Sequence, residues 1–424
     1  MRNRLAELLK REAVAGTAAA VFLRLLTLAS RFLLSLLLAR MLTPAEVGQY
    51  GLLTAVLAFA LLTIGLEFYS YTLREIVPAT PTQRTRIIAD QFVLTVAAWL
   101  AVAFLVITGV VIGVFSASLA LWFLAILIVE HISLEATRIL VITSRPVRAY
   151  VGIFLRGGIW VYVITALMLG SPSMRTLETV FFWWLLGGVL AIAFSAFSMR
   201  DLPWRDLRGY RPDWRVVSAG LRTARPFMVT SLSALIISYV DRFAIERFVG
   251  RDGLGIYTFY STILIGALSL GTSVSHQFLA KVIAGFSESV GAYRATLWTF
   301  FWSLLALTSS VVFFAGLLMQ PMLAALGLTV YASEVWVFYI MLPGVFLRML
   351  ADVPSYALYA ARSDRALLCC NLGAALVSIA LNFLLTPLFG IYGAAWAGVA
   401  ASGTLFLLLA ILAWRRIRMQ SAFS

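Results

Sequence analysis

The sequence predicts an all-α polytopic membrane protein: twelve transmembrane helices in two six-helix lobes related by a parallel repeat. Three observations carry this. First, 62% of the 424 residues are hydrophobic and 12% charged, with a mean hydropathy of +0.95. A soluble domain carries roughly 25% charged residues, so a soluble enzyme is excluded. Second, the apolar residues come in runs of about 18 to 25, long enough to cross a ~30 Å hydrocarbon core as helices. Third, a motif near the start of the chain recurs at the same place in its second half.

The expected spans are 14–38, 46–69, 90–113, 118–142, 148–169, 178–199, 218–243, 254–279, 295–318, 332–358, 367–386 and 391–414. Pro44, Pro78 with Pro81, Pro146, Pro172, Pro203 with Pro212, and Pro321 punctuate them. Residues 1–12 are charged and lack a small-residue cleavage pattern, so the first span reads as a retained helix rather than a signal peptide. Spans and short loops use up the chain, leaving no room for an extramembrane domain of ordinary size.

Topology follows from the basic residues. With the N-terminus inside, the outer connections hold only Arg40, Arg175, Arg247 and Arg251 of the 33 Lys and Arg. Arg24, Arg31, Arg156, Arg222, Arg225, Arg242 and Arg348 fall within spans, and nearly all the others are cytoplasmic. That bias places both termini in the cytoplasm of a multi-pass inner or plasma membrane protein. It also accounts for the net charge of +14 without nucleic acid. Cys369 and Cys370 lie in an apolar run and read as small core residues.

The longest polar connection, Arg200 to Arg215, carries five Arg, three Asp and two Trp. It reads either as a segment lying along the cytoplasmic headgroups or as a solvated linker. It divides the chain into an N-terminal lobe (1–199), a linker (200–217) and a C-terminal lobe (218–424).

The repeat supports that division. Ala39-Arg-Met-Leu-Thr-Pro-Ala-Glu-Val-Gly-Gln-Tyr50 follows the first span, and Glu246-Arg-Phe-Val-Gly-Arg-Asp-Gly-Leu-Gly-Ile-Tyr257 follows the seventh. At an offset of 207 residues, Arg40, Gly48 and Tyr50 meet Arg247, Gly255 and Tyr257. Six spans separate the copies, so the halves share one orientation, as in parallel-repeat transporters.

The turn after the first span resembles that of polysaccharide flippases of the O-antigen type. Two further stretches strengthen the resemblance: Asn382-Phe-Leu-Leu-Thr-Pro-Leu-Phe-Gly-Ile-Tyr-Gly-Ala-Ala395, similar to the family's elbow between helices 11 and 12, and Gly65-Leu-Glu with Arg74 at the end of helix 2. These flippases share a superfamily with multidrug exporters of the toxin-extrusion class and peptidoglycan-precursor flippases. The resemblance implies a multidrug-and-toxin-extrusion-like fold that flips undecaprenyl-linked or similar glycans. Without the family, the elbow reads as Pro387 stopping a helix, Gly390 supplying a turn and Gly393 permitting close packing.

Ionisable groups at bilayer depth cost roughly 2.5 to 3.5 kcal/mol each, and most line a cavity or pair. In the first span, Thr17, Arg24, Thr27, Arg31 and Ser35 fall on one helical stripe. No acid occurs between Glu12 and Glu46, so neither arginine has a partner on its own helix. Arg24, Arg31, Thr27 and Ser35 are therefore expected to bind an anionic substrate. The same offset places Ser231, Ser238 and Arg242 opposite Arg24, Arg31 and Ser35. Ser238 and Arg242 join the expected set, with Asp241 able to neutralise Arg242. In the fourth span, His131, Glu135 and Arg138 share a face that suits an ion pair, and Glu130 or His131 could handle a coupling proton. Glu67, without an evident partner, is a further coupling candidate. Arg348 and Asp352 are spaced for an i,i+4 pair. Arg222 and Arg225 read as snorkelling, and His276 with Gln277 as a polar helix contact or a vestibule lining.

No metal spacing, nucleotide loop or nucleophile constellation is present, so no catalytic residue, metal or cofactor is expected. The expected function is a flippase carrying a polyprenyl-pyrophosphate oligosaccharide from the cytoplasmic to the outer leaflet. Its partners would be the anionic lipid-linked glycan, membrane lipids, H+ or Na+ as coupling ion, and polysaccharide polymerase or glycosyltransferase machinery. The alternatives are a cation-coupled multidrug exporter of the same superfamily or a membrane glycan polymerase or ligase. Two unpaired arginines would repel the organic cations of the first, and the short outer connections disfavour the second.

Overall fold

The structure, a computed structural model, describes residues 2–113, 116–143, 145–207 and 209–422, with side chains from 19 to 418. Among the described residues all regular structure is helical. In hydrocarbon a helix satisfies its backbone N–H and C=O groups within one segment, which is why apolar runs of this length take that form. The helices are α1 (Arg2–Met41), α2 (Pro44–Gly65), α3 (Pro81–Val111), α4 (Ala117–Ile142), α5 (Pro146–Gly170) and α6 (Leu177–Ser198). The second half holds α7 (Trp214–Phe248), α8 (Arg251–Glu288), α9 (Val290–Leu326), α10 (Val335–Ala360) and the run Asp364–Ala422.

Eleven of these are long and apolar enough to cross a bilayer. The last run is two spans, because Gly390 breaks it with φ 59 and ψ −140. We call the parts before and after that break α11 and α12, which makes twelve spans. The protein is therefore a multi-pass membrane protein. Only 11% of the apolar window is buried in α3 and in α9, so hydrocarbon must cover the rest.

Several boundaries differ from the sequence expectation. α3 starts at Pro81 rather than 90, because Thr80 and Gln83 form a capping box and Pro81 suits the first turn. Arg84 and Arg86, which set the apparent limit of the apolar run, ride on this helical extension. Pro387 does not stop α11. It costs one backbone bond inside the helix, and the break waits for Gly390, whose positive φ only glycine adopts cheaply. The helix of α10 is interrupted at Ala351, three residues before Pro354, whose ring removes an N–H.

The chain forms two compact units, Met1–Leu37 with Val56–Met228 and Leu38–Ala55 with Val229–Ser424. In the first, α4 packs on α5 and α6 around Ile126, Leu127, Val161, Ile164 and Val180, all nearly inaccessible. The second is built from α8 to α12 around Val282, Phe300, Leu304, Ala374 and Ala401.

The second unit also holds the start of α2, for a reason visible in the repeat. A Cβ at Gly48 would stand 2.2 Å from the Arg251 oxygen, and one at Gly255 would stand 1.8 Å from the Pro44 oxygen. Pro44 and Arg251 are themselves related by the 207-residue offset, as are Gly51 and Thr258, which also touch. The repeated glycines are thus the crossing point of α2 and α8, where backbone meets backbone with no space for a side chain.

The polar segment after α6 is tied down by side chains. Arg145 forks onto Asp201, with Nη1 to Oδ1 at 2.8 Å, and Thr82 donates to Asp206 at 2.7 Å. Asp90 accepts from the Tyr210 hydroxyl and from the Asp213 N–H at 3.0 Å. Trp204, on a short 3-10 turn, donates to the Met199 carbonyl at 2.9 Å.

Two outcomes follow from this packing. Gly255→Ala should lower the thermal midpoint in detergent, since overpacking costs roughly 1–3 kcal/mol. Gly266→Ala, with nothing within 4 Å of its added Cβ, should leave the midpoint unchanged or slightly raised. The Arg145 hydrogen bonds hold the Asp201 carboxyl at about 2, so its folded pKa lies below the unfolded one of about 3.9. The Asp201 attachment is then complete above pH ~4 and lost as pH falls through ~2. Hydrogen exchange across residues 199–213, corrected for intrinsic rates, should show that dependence, and Asp201→Asn should remove it.

Candidate functional site

In the first unit, the polar stripe of α1 meets α5 at a local irregularity. Residues Leu155–Ile159 of α5 form a π-helical turn that carries Arg156, Gly157 and Gly158. The widened turn leaves carbonyls free, and neighbours use them. Ser30 donates to the Gly157 oxygen at 3.1 Å, and Trp160 Nε1 donates to the Arg156 oxygen at 2.9 Å. Tyr162 reaches back to the Leu26 oxygen at 3.0 Å. Thr27 is buried and touches Gly157 across the gap left by the missing side chain.

On this frame Arg24 is half-buried, Arg31 is exposed and Ser35 is buried. Thr27 turns its hydroxyl to the Leu23 carbonyl at 2.8 Å. Among the described residues no carboxylate pairs with Arg24 or Arg31. The side chain of Thr17 lies outside the described residues.

The coupling candidates separate. Glu130 accepts from Trp184 Nε1 at 2.7 Å through one oxygen and faces Arg156 Nε at 3.8 Å with the other. Trp184 in turn stacks on Trp160, with ring planes 7° apart. His131 is 1% exposed, lies edge-on to Trp99, and has no hydrogen-bond partner at either nitrogen among the described residues. Glu67 sits in the turn after α2, where Leu66 and Glu67 take φ of 48 and 51. Left-handed backbone at two non-glycine residues costs about 1–2 kcal/mol each. Glu135 and Arg138 form the expected pair at 2.6 Å, as an i,i+3 contact. Gln91 extends it by donating to Glu135 at 2.6 Å and accepting from Thr72 at 2.8 Å. This network anchors the short helix Tyr69–Ile76 to α3 and α4.

The second unit contains a cavity of ≈ 120 Å³ lined by Ser238, Asp241, Ser261, Arg348 and Ser402 among others. Asp241 accepts from the Tyr257 hydroxyl at 2.6 Å. Arg242 does not line this cavity. It is 2% exposed, donating to the Gly51 oxygen at 3.3 Å, Thr54 at 3.1 Å and the cavity-lining Ser261 at 3.3 Å. Its guanidinium also lies over the Tyr239 ring at 4.6 Å. Those contacts belong to the packing of α2 and α8 on α7, because one residue along a helix rotates the side chain by about 100°. Arg348 and Asp352 do not form an ion pair within 4.0 Å among the described residues, since the break at Ala351 removes the i,i+4 geometry. Asp352 accepts instead from buried Ser275 at 2.6 Å. His276, Gln277, Arg222 and Arg225 are exposed. No group of three His, Cys, Asp or Glu gathers as a metal site among the described residues.

Sequence reading missed Arg156, Trp160 and Trp184 as parts of a cluster. They come from two helices and converge with Glu130 of a third, so no spacing exposes them. The adjacent glycines after Arg156 were the available signal, since paired glycines inside a helix mark a close approach or a distortion.

Arg242→Ala should act on folding. Emptying that space and leaving buried acceptors without a donor should destabilise by about 2–4 kcal/mol, read as a lower yield and thermal midpoint. Ser238→Ala should stay within about 0.5 kcal/mol.

No protein-family profile matches the chain, and no curated protein matches it in sequence. Solved structures do match in fold. A multidrug resistance MATE family transporter of the MOP superfamily, in an inward-facing conformation, superposes with a TM-score of 0.78 at 14% identity, covering 94% of this chain and 96% of that one. The lipid II flippase MurJ, in an inward closed conformation, gives 0.68 at 15% identity, covering 97% and 91%. A MOP superfamily transporter from Pyrococcus furiosus, described as having a binding pocket of reverse polarity, gives 0.61 at 13% identity, covering 96% and 94%. The chain therefore has the fold of MATE transporters and MurJ.

Proposed function

We propose that this protein is a flippase for a lipid-linked oligosaccharide, moving a polyprenyl-pyrophosphate glycan from the cytoplasmic to the outer leaflet for cell-surface polysaccharide synthesis. The observation that carries this reading is the pair Arg24 and Arg31, which lack an ion-pair partner among the described residues. Holding two such charges in hydrocarbon costs roughly 5–7 kcal/mol on insertion scales, so an anionic ligand is their natural complement. A diphosphate answers guanidinium with paired, charge-assisted hydrogen bonds, strongest where water is scarce. Thr27 and Ser35 complete the stripe, and Ser238 faces the second-unit cavity.

The fold supports a transporter, since its structural neighbours include a lipid II flippase. In this reading the N-terminal lobe (1–199) and the C-terminal lobe (218–424) alternate around the loaded site, joined by the cytoplasmic segment 200–217. Both termini are cytoplasmic, and a proton or Na+ gradient drives the cycle through Glu67, Glu130 or His131.

A second reading rests on Asp241, whose carboxylate lines the cavity in the second unit. An acid in a cavity suits a cation, and the fold also serves multidrug MATE transporters. Export of a cationic dye that survives neutralising Arg24 and Arg31 but fails in Asp241→Asn would select the exporter.

Deletion should leave a completed lipid-linked glycan on the cytoplasmic leaflet. The Arg24→Ala, Arg31→Ala double variant should reach the membrane at normal levels and fail to restore export. Lysine at either position should restore it partly, because it keeps the charge and loses the planar fork. Normal glycan export by the double variant would overturn the cationic-site mechanism.

A further inference from the structure

The geometry points to Arg156 as a third anion-binding cation of the first unit, with the Glu130 carboxylate as an internal stand-in that the substrate's anionic group displaces. This deepens the flippase reading and rests on it for the chemistry of the ligand, a diphosphate ester.

Arg156 has five N–H donors in a planar fork. Its side chain is only 15% exposed, yet among the described residues its guanidinium has no hydrogen-bond acceptor. The facing carboxylate is Glu130, at 3.8 Å from Nε. A settled Arg–carboxylate pair closes to about 2.7–2.9 Å, usually through two parallel bonds. This one stays open because Glu130 is held from the other side. Its Oε1 accepts from Trp184 at 2.7 Å, Trp184 stacks on Trp160, and Trp160 bonds the Arg156 carbonyl at 2.9 Å. The chain of contacts returns to the residue it started from. It fixes the carboxylate near the guanidinium while leaving the fork free.

The backbone is equally specific. Arg156 rides on the π-turn of α5, a distortion that recurs at functional sites because it re-aims side chains. The next residue, Gly157, is where Ser30 and Thr27 of α1 dock. The cation therefore adjoins the stripe that carries Arg24 and Arg31, within one compact unit. Glu130 is the carboxylate that faces Arg156 here, through one oxygen only. A diphosphate brings more charge and more acceptor oxygens than one carboxylate oxygen at 3.8 Å. When it takes the fork, Glu130 keeps its bond to Trp184, so the exchange gives up only a long Coulombic contact. A monoanion gains little by the exchange, which makes Glu130 a filter for highly charged headgroups.

The test is binding of farnesyl diphosphate, with inorganic pyrophosphate as a second probe, to the purified full chain in nanodiscs. Arg156→Gln should weaken farnesyl diphosphate binding by about tenfold or more, and Arg156→Lys by less. Glu130→Gln should tighten binding about threefold or more, because the internal competitor is neutralised. A purely structural ion pair predicts the opposite for Glu130→Gln, a lower thermal midpoint with unchanged or weaker binding, and that result would overturn the inference. So would an unchanged Kd in folded Arg156→Gln. If neutralising Arg24 and Arg31 abolishes binding while Arg156→Gln does not, the flippase reading stands and the Arg156 assignment falls. If the wild-type chain binds neither probe, both fall. Inorganic pyrophosphate binding with the same loss in Arg156→Gln would support the assignment and show that the lipid chain is dispensable for recognition.

Discussion

The backbone of α2 rests on the backbone of α8 at Gly48 and Gly255, and much of the second unit follows from that contact. The approach admits no Cβ at either position, which explains why the repeat preserves glycine there. It draws the first turns of α2 into the unit that contains α8. It also closes a polar space over α7, where Arg242 bonds Gly51 and Thr54 on one side and Ser261 on the other. An arginine in hydrocarbon needs its donors answered, and two helices brought this close answer both terminal nitrogens, while Nε has no partner among the described residues. A methyl group at the crossing would separate the same acceptors from the guanidinium.

Charge is handled differently in the two units. In the second, Arg242 is consumed by packing and Asp352 by Ser275, leaving Asp241 and Arg348 at a small cavity. In the first, the acids are largely engaged by neutral or local partners: Glu130 by an indole, Glu135 by Gln91 and Arg138. Arg24 and Arg31 are left without carboxylates among the described residues. In the flippase reading proposed above, those unanswered guanidinium groups favour a polyanion over an organic cation.

Strain and irregularity gather where the helices must do more than span. The π-turn of α5 frees carbonyls for Trp160 and Ser30. The left-handed pair Leu66–Glu67 turns α2 into the short helix whose Thr72 joins the Gln91–Glu135 network. Each departure is held by named hydrogen bonds from neighbouring elements, which is the condition for a costly backbone geometry to persist.

Composition and run length alone determined that this chain crosses a membrane many times as helices, because hydrocarbon allows no other form for such segments. The repeat also marked Gly48 and Gly255 correctly as special, and helical periodicity placed Arg24, Thr27, Arg31 and Ser35 on one stripe. Periodicity fails once a helix stops being regular or a partner comes from elsewhere in the chain. It could not see the interruption at Ala351 that separates Arg348 from Asp352, or the early start of α3 set by its capping box. It assigned Arg242 to a polar face that, at that position, is covered by α2. The cluster of Glu130, Arg156, Trp160 and Trp184 was invisible for the same reason. A spacing rule describes one helix, whereas a guanidinium's partners in a packed unit come from whichever helices tertiary packing brings within hydrogen-bond reach.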